Sequence, residues 1–150
     1  MSEFEVMEVV HEVEIGAPRE RVWRAMTEEA GAWWHKDFFT GKAINFVIEA
    51  KAGGRVYEDW GDGQGFVWYT VTAAKKNEML MLSGELFPKY GGPARLQDIW
   101  ELTDTELGGT KLRLQEVVFG RVNEETKRNL EEGWKILMTD SLKPYVEGGT

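Results

Sequence analysis

The chain has 150 residues and no cysteine, which is the size of one domain, residues 1–150, whose core needs neither a disulfide nor a metal. Its 26 acidic and 18 basic residues give a formal net charge of −8, and this balance disfavours nucleic acids and anionic membranes as partners. No apolar run approaches the roughly 20 residues of a membrane span, and the acidic first residues are not those of a signal peptide, so we expect a soluble, cytoplasmic protein.

The start of the chain predicts one strand and two short helices. Phe4–Ile15 is rich in Val and Glu with partial alternation of apolar and polar residues, which is typical of a strand. Gly16-Ala17-Pro18 ends this strand, and proline suits the first turn of a helix. Apolar residues then recur at helical spacing over residues 22–30, and Ala32-Trp33-Trp34 ends a second short helix.

From residue 44 onward the pattern changes to strands separated by turns. Glycine-rich segments at residues 53–54, 61–65 and 108–109 predict tight turns. The regular spacing of the segments between them predicts an antiparallel meander. The predicted strands are Ile44–Ala50, Arg55–Trp60, Phe66–Ala74, Met79–Phe87, Arg95–Thr103 and Thr110–Phe119.

The last segment predicts one long helix. Asn123 is a suitable N-cap, and Glu124 and Glu125 favour the positive end of the helix dipole. Apolar residues recur at helical spacing from Leu130, and Pro144 is expected to end or kink the helix. A helix of about 20 residues is ~30 Å long, which is enough to cross a whole sheet.

Glu132-Gly133-Trp134, in the middle of this helix, is the most informative feature of the chain. A glycine inside a helix costs about 1 kcal/mol relative to alanine. A glycine beside the bulkiest side chain indicates that this face of the helix either contacts another element closely or covers a space. One helix cannot cover a flat seven-stranded sheet, so we predict an α+β fold with a curved antiparallel sheet around the long helix and a cavity between them.

Several motifs, in this order, resemble those of one known superfamily. Ile15-Gly16-Ala17-Pro18 with residues 20–25 resembles its opening strand and helix, and Ala32-Trp33-Trp34 resembles its paired tryptophans. The remaining matches are Gly53-Gly54-Arg55, residues 63–67, Trp100-Glu101-Leu102, residues 109–112 and Glu132-Gly133-Trp134. The chain thereby resembles the SRPBCC, or START-like, superfamily with the helix-grip fold, and within it the homologues of the activator of the heat-shock chaperone ATPase.

This resemblance implies a cavity between the long helix and the sheet, with the segment after the short helices at its entrance. It implies less about activity, because the superfamily contains lipid carriers, hormone receptors, aromatase/cyclase enzymes and chaperone regulators. The residues that we expect to contact a ligand are Trp33, Trp34, Phe38, Phe66, Trp68, Asp98, Trp100, Leu114, Glu116, Trp134, Met138 and Leu142.

Two carboxylic residues in this set are predicted from strand alternation. If Trp100 points inward, Asp98 does too, and if Leu112 and Leu114 point inward, so does Glu116. A buried carboxylate needs a partner or a raised pKa. The two side chains therefore either orient a polar group of a ligand or lie near open strand ends in contact with water.

Other chemistry finds little support in the sequence. The histidines, His11 and His35, show no metal-ligand spacing, and no serine lies in a nucleophile elbow. The acidic hairpin at residues 58–62 lacks the spacing of a calcium loop and is interpreted as a solvated turn. Residues 61–65 join two strands and are not a dinucleotide fingerprint. We therefore expect no metal and no cofactor.

Three functional hypotheses follow. The favoured one is a protein that binds a small hydrophobic or lipid-like molecule in the cavity. The second is a cyclase- or lyase-type enzyme with Glu116 or Asp98 as the general acid or base, which the lack of a paired base or nucleophile weakens. The third is a chaperone-regulating interaction protein, which is implied by the resemblance alone. The sequence does not indicate an oligomeric state.

Overall fold

The computed structural model describes residues 4–148, so the first three and last two positions of the predicted domain lie outside the described residues. The chain forms seven strands, two short helices after the first strand and a C-terminal helix, which confirms the predicted α+β class. The strands are β1 (Phe4–Ile15), β2 (Asn45–Ile48), β3 (Arg55–Gly61), β4 (Gln64–Lys75), β5 (Met79–Leu86), β6 (Ala94–Asp104) and β7 (Thr110–Arg121).

All seven strands form one antiparallel sheet in the order β1-β7-β6-β5-β4-β3-β2. Strands β2 to β7 are therefore a meander, as predicted, and β1 adds to its far edge by pairing with the last strand. Strand β2 is shorter than predicted at both ends, although the Ile44 amide still donates to the Asp59 carbonyl at 2.7 Å. Register shifts in β3 and β4 mark irregularities, which bend strands and help a sheet to curve.

The two short helices are α1 (Arg19–Thr27) and α2 (Ala30–Trp33), and a 3-10 turn at Lys36–Phe38 follows them. Pro18 occupies the N-cap position of α1 in extended conformation. The Trp33 indole donates to the Ala25 carbonyl at 2.7 Å and so fixes α2 against α1.

The C-terminal helix comprises an α-helical stretch (Glu124–Trp134), a π-helical stretch (Lys135–Leu142) and a final α-helical turn and a half (Lys143–Glu147). Of the two outcomes expected for Pro144, an end or a kink, an end of the helix at this residue does not occur, because the helix continues past it to Glu147. The Lys143 amide donates to the Met138 carbonyl, five residues back, and this wider turn relieves the clash that a proline ring makes in an α-helix. Among the described residues, no helix is both long and apolar enough to cross a membrane.

The helix packs differently along its length. Its second half contributes Met138 and Leu142, both fully buried, and Val146 to the core between helix and sheet. In its first half only Gly133 and Trp134 are buried, and Leu130 is half-buried. The second half of the helix therefore contributes more to the core, whereas the first half buries fewer side chains.

The start of the helix gives a stability prediction. The Asn123 side chain accepts a hydrogen bond from the Thr126 amide at 3.0 Å, and the Thr126 hydroxyl accepts one from the Asn123 amide at 3.3 Å. Asn123→Ala should lower the free energy of unfolding by about 1 kcal/mol, because it leaves helix amides without this acceptor. Urea denaturation measures the change, and Glu131→Ala, at an exposed mid-helix position, is the control. Equal stability of the two variants would contradict the cap.

Candidate ligand cavity

A cavity of about 180 Å³ lies between the first half of the C-terminal helix and the sheet. The helix contributes Leu130, Gly133, Trp134 and Leu137, and Tyr69 and Leu96 come from the sheet. Its inner part is made of buried side chains, and its mouth lies at the exposed residues Glu85, Tyr90 and Asn129. The other lining residues are Trp34, Phe38, Thr40, Phe66, Trp68 and Leu86.

The structure brings part of the predicted contact set to this cavity. Trp34, Phe38, Phe66, Trp68 and Trp134 line it. The other predicted residues do not line it and are buried in the core. They are Trp33, Asp98, Trp100, Leu114, Glu116, Met138 and Leu142, all of them buried. Contact between any of these residues and a ligand stays a prediction.

The aromatic wall is built around Trp34. Its ring stacks on Phe46 with centroids 3.8 Å apart and an interplanar angle of 8°. Trp68 and Trp134 approach the same ring edge-on, at 6.3 and 6.4 Å. Such contacts add to the energy of burial and fix ring orientation. The wall of the cavity is consequently a rigid aromatic surface supplied by three separate segments of the chain.

Gly133 lies where the helix faces the segment after α2. A Cβ atom at this position would lie 3.3 Å from Cε1 of Phe38, closer than ordinary van der Waals contact. Phe38 and Gly133 both line the cavity, so any side chain at position 133 would either displace Phe38 or project into the space. Of the two alternatives stated for Glu132-Gly133-Trp134, a close approach or a covered space, this contact with Phe38 supports the close approach.

Glu116 joins the sheet to the helix behind this wall. It is fully buried on β7. The Tyr69 hydroxyl donates to its Oε2 at 2.6 Å, and the Trp134 indole donates to its Oε1 at 3.0 Å. Tyr69 and Trp134 are both lining residues, so the polar edges of the wall are turned away from the cavity and bound to this carboxylate.

Asp98 faces Glu116 in register on β6 and is also buried. The Trp100 indole donates to Oδ2 of Asp98 at 3.1 Å, whereas Oδ1 has no hydrogen-bond partner among the described residues. Burial, together with the negative charge of Glu116, raises the pKa of Asp98 well above its usual range. Asp98 therefore keeps a proton at pH values where an exposed aspartate has lost it. The alternative that these carboxyl groups contact water at strand ends is wrong.

Glu58 is a third buried carboxylate, and the interpretation of its hairpin as a solvated turn is wrong at this position. Its oxygens accept from the indoles of Trp60 and Trp68 at 3.0 and 2.8 Å. They also accept from the Thr40 amide at 2.8 Å and from the Gly41 amide at 3.2 Å. Glu58 thus fixes the segment at residues 39–44 to the sheet, next to the mouth of the cavity. Alternation from buried Val56 was a signal in the sequence that could have revealed it.

Two polar atoms in lining residues have no hydrogen-bond partner. They are Nε1 of Trp34 and Oγ1 of Thr40, both shielded from solvent, and the statement covers the described part of the chain. Buried polar groups are nearly always paired, since an unpaired one costs about 1–3 kcal/mol. Sequence reasoning missed Thr40 because it lies in a segment without periodic pattern, where nothing indicates which way a side chain faces.

Charge at the cavity is one-sided. Glu85 at the mouth is the only charged residue among those that line it, and no Lys or Arg does so in the chain as described. Glu58 and Glu116 lie directly behind the wall, hydrogen bonded to the lining residues Trp68, Tyr69 and Trp134. This arrangement disfavours an anionic ligand, because a buried negative charge needs a cation or several donors.

Comparison with known proteins identifies the family. Residues 16–147 match the family described as Activator of Hsp90 ATPase homolog 1-like protein. The chain belongs to this family. Its fold agrees with the helix-grip superfamily that the sequence motifs resemble. No curated protein matches the chain.

Solved structures share the fold of this family member. DynU16, a protein in the dynemicin biosynthetic locus, has a TM-score of 0.71 at 24% identity, over 95% of this chain and 48% of its own. The chain thus spans about half the length of DynU16. A Rhizobium leguminosarum protein has a TM-score of 0.71 at 22% identity, with 98% of each chain covered. Staphylococcus aureus SA2116 has a TM-score of 0.69 at 16% identity, over 97% of this chain and 96% of its own. These likenesses show the fold alone.

The raised pKa of Asp98 predicts how stability depends on pH. Because the folded-state pKa lies above the unfolded value of about 3.9, the folded protein binds more protons between the two values. Stability from this group is complete below about pH 4 and falls as pH rises, by up to ~1.4 kcal/mol per pH unit, until the folded pKa is passed. Asp98→Asn keeps an acceptor for Trp100 without the charge, so it should flatten this slope and stabilise the protein at neutral pH.

Urea denaturation from pH 4 to pH 8 measures the effect. Asp62→Asn is the matched control, since Asp62 is exposed and its φ of 57° suits asparagine. The control should keep the pH profile of the wild type. An Asp98→Asn profile as steep as that of the wild type would show that Asp98 does not carry the excess proton.

Proposed function

We propose that this protein binds a small, largely apolar molecule, of about one aromatic ring and a few further atoms, in the cavity beneath Gly133. The observation that carries the proposal is an aromatic cavity of about 180 Å³ at a position where the helix keeps a glycine. An apolar cavity of about 150 Å³ is enough to bind benzene, whereas drug-sized ligands occupy about 300–1,000 Å³. Within the predicted class of hydrophobic or lipid-like molecules, the size of the cavity therefore favours a compact ligand.

The alternatives have less support. Tyr69 and Trp134 separate Glu116 from the cavity, and Asp98 is not a lining residue, so neither carboxyl group is placed to meet a substrate directly. The location of DynU16 in a biosynthetic locus links one protein of this fold to a biosynthetic setting, but not this chain to a reaction. Regulation of a chaperone rests on the family's name alone, and it stays a prediction that co-purification with a chaperone would test. A cytoplasmic location also stays a prediction.

Binding is tested with α-methylstyrene and toluene as probes. A ligand that binds only the folded state raises the free energy of unfolding by about 2.7 kcal/mol at a hundred times its Kd. We expect a ligand-dependent rise in the midpoint of thermal unfolding and a change in tryptophan fluorescence, because Trp34, Trp68 and Trp134 line the cavity. A protein that shows neither effect with either probe would contradict the proposal.

The position of the site is tested by Gly133→Leu. The new side chain should fill the cavity or displace Phe38, and so weaken binding of α-methylstyrene at least about tenfold, or ~1.4 kcal/mol. The fold should persist, because leucine has a higher helix propensity than glycine by nearly 1 kcal/mol. Glu132→Leu, on the exposed face one residue earlier, is the control and should bind as the wild type does. Unchanged affinity in folded Gly133→Leu would place the ligand elsewhere.

A further inference from the structure

We infer that Asp98 and Glu116 share one proton, which Oδ1 of Asp98 donates to Glu116, and that loss of this proton loosens the cavity wall at Tyr69 and Trp134. The two acidic residues lie opposite each other in the register of β6 and β7, and both are buried. Opposite side chains of an antiparallel pair have Cβ atoms about 4.5–5.5 Å apart, so the carboxyl groups lie within reach of each other. The effect on a ligand rests on the proposed function, whereas the shared proton does not.

The hydrogen bonds of the two carboxyl groups place the proton on Asp98. Glu116 accepts from the Tyr69 hydroxyl at 2.6 Å and from the Trp134 indole at 3.0 Å, so each of its oxygens already has a donor. Asp98 accepts from Trp100 at Oδ2 alone, and within residues 4–148 no donor reaches its Oδ1. Two carboxylate oxygens are both acceptors, and they form a hydrogen bond only if one of them carries a proton. A proton on Oδ1 pairs this buried atom and gives Glu116 a third donor.

The surroundings of the pair supply no cation that could neutralise it. Burial raises the pKa of Asp98, and the charge of Glu116 and a hydrogen bond between the two side chains raise it further. Leu82 on β5 and Val9 on β1 are the register neighbours of the pair, and no Lys or Arg of the described chain forms an ion pair with either carboxyl group. Burial and the two carboxyl groups raise the pKa of Tyr69 well above its usual range, so its hydroxyl stays a donor.

His11 on β1 does not take part in this titration. It lies opposite Leu114, and its Nε2 is 2.7 Å from the Thr139 hydroxyl. Burial lowers the pKa of His11, with Lys135 adding to this effect and Asp140 opposing it. His11 is therefore neutral above about pH 7, and a change in the protein at alkaline pH does not come from its charge.

Loss of the proton acts on the cavity through Glu116. The proton passes to water and leaves two carboxylates opposite each other, and like charges in this position are destabilising. Glu116 binds Tyr69 and Trp134, which both line the cavity. Repulsion between the carboxylates therefore weakens the two hydrogen bonds that fix these side chains. The pair is a pH-sensitive connection between the core and the cavity wall.

Infrared spectroscopy detects the proton without a ligand. Exposed carboxyl groups have pKa values of about 4 and are ionised at pH 7, so a C=O stretch of a protonated carboxyl group at this pH should come from Asp98. We expect this band in the wild type and in the control Asp62→Asn, which changes an exposed residue, and we expect its loss in Asp98→Asn. A wild type without the band at pH 7 would overturn the inference.

Fluorine NMR of protein labelled with fluorotryptophan follows Trp134, whose resonance is assigned by comparison with Trp134→Phe. As the pH rises from 7 to 10, the infrared band should disappear, and the Trp134 resonance should move over the same pH range. In Asp98→Asn the side-chain amide donates to Glu116 at every pH, so the resonance should stay in place. A band that persists to pH 10, or a resonance that does not follow its loss, would contradict the pH-sensitive connection.

The affinity for α-methylstyrene measures the effect on the cavity, because this ligand is uncharged at every pH. In the wild type it should be about five- to tenfold weaker after the proton is lost, and in Asp98→Asn it should be constant. Equal affinity of the wild type before and after the loss would overturn the effect on the cavity. If α-methylstyrene binds at no pH while the band and the Trp134 resonance behave as expected, the proposed function fails and the shared proton stands.

Discussion

The buried carboxylate of Glu116 is the interaction on which the rest of the architecture depends. It lies on β7, and its two hydrogen-bond donors are Tyr69 from β4 and Trp134 from the C-terminal helix. One side chain thereby fixes the distance between the helix and the middle of the sheet. Removing one donor from a buried, charge-assisted bond leaves the carboxylate under-satisfied, so the helix is held at this height by electrostatics as well as by packing. Tyr69 and Trp134, which bind Glu116 through their polar atoms, also line the cavity.

Glu58 performs the corresponding task for the segment that closes the side of the cavity. No Lys or Arg of the described residues pairs with it, and its oxygens accept from four donors, two indoles and two backbone amides. The consequence is that Glu58 and Glu116 together bind the polar edges of Trp68, Tyr69 and Trp134 and present their aromatic carbon to the interior. A cavity this apolar follows from two charged residues placed behind it, which composition alone would not suggest.

The sequence allowed much of the fold to be predicted and only part of the site. Strand alternation placed Asp98 and Glu116 inward correctly, because that signal is periodic, and Gly133 indicated a close approach, because a glycine inside a helix is a local exception. The same alternation was not applied to Glu58, and Thr40 lies in a segment where no periodicity exists. The predicted contacts Met138 and Leu142 are fully buried in the core, and which part of the helix packs there is a tertiary feature that no local pattern contains.

The features that lower the stability of the folded domain are concentrated near the first half of the C-terminal helix. Gly133, the facing pair of Asp98 and Glu116, and the unpaired atoms of Trp34 and Thr40 all lower stability there, whereas the other end is closed by Met138 and Leu142. A sequence under selection for stability alone would replace several of these features with apolar side chains at little loss. These features lie on or behind the wall of one cavity, and the proposed function accounts for them there, because binding energy from a ligand offsets such costs only where the ligand is bound.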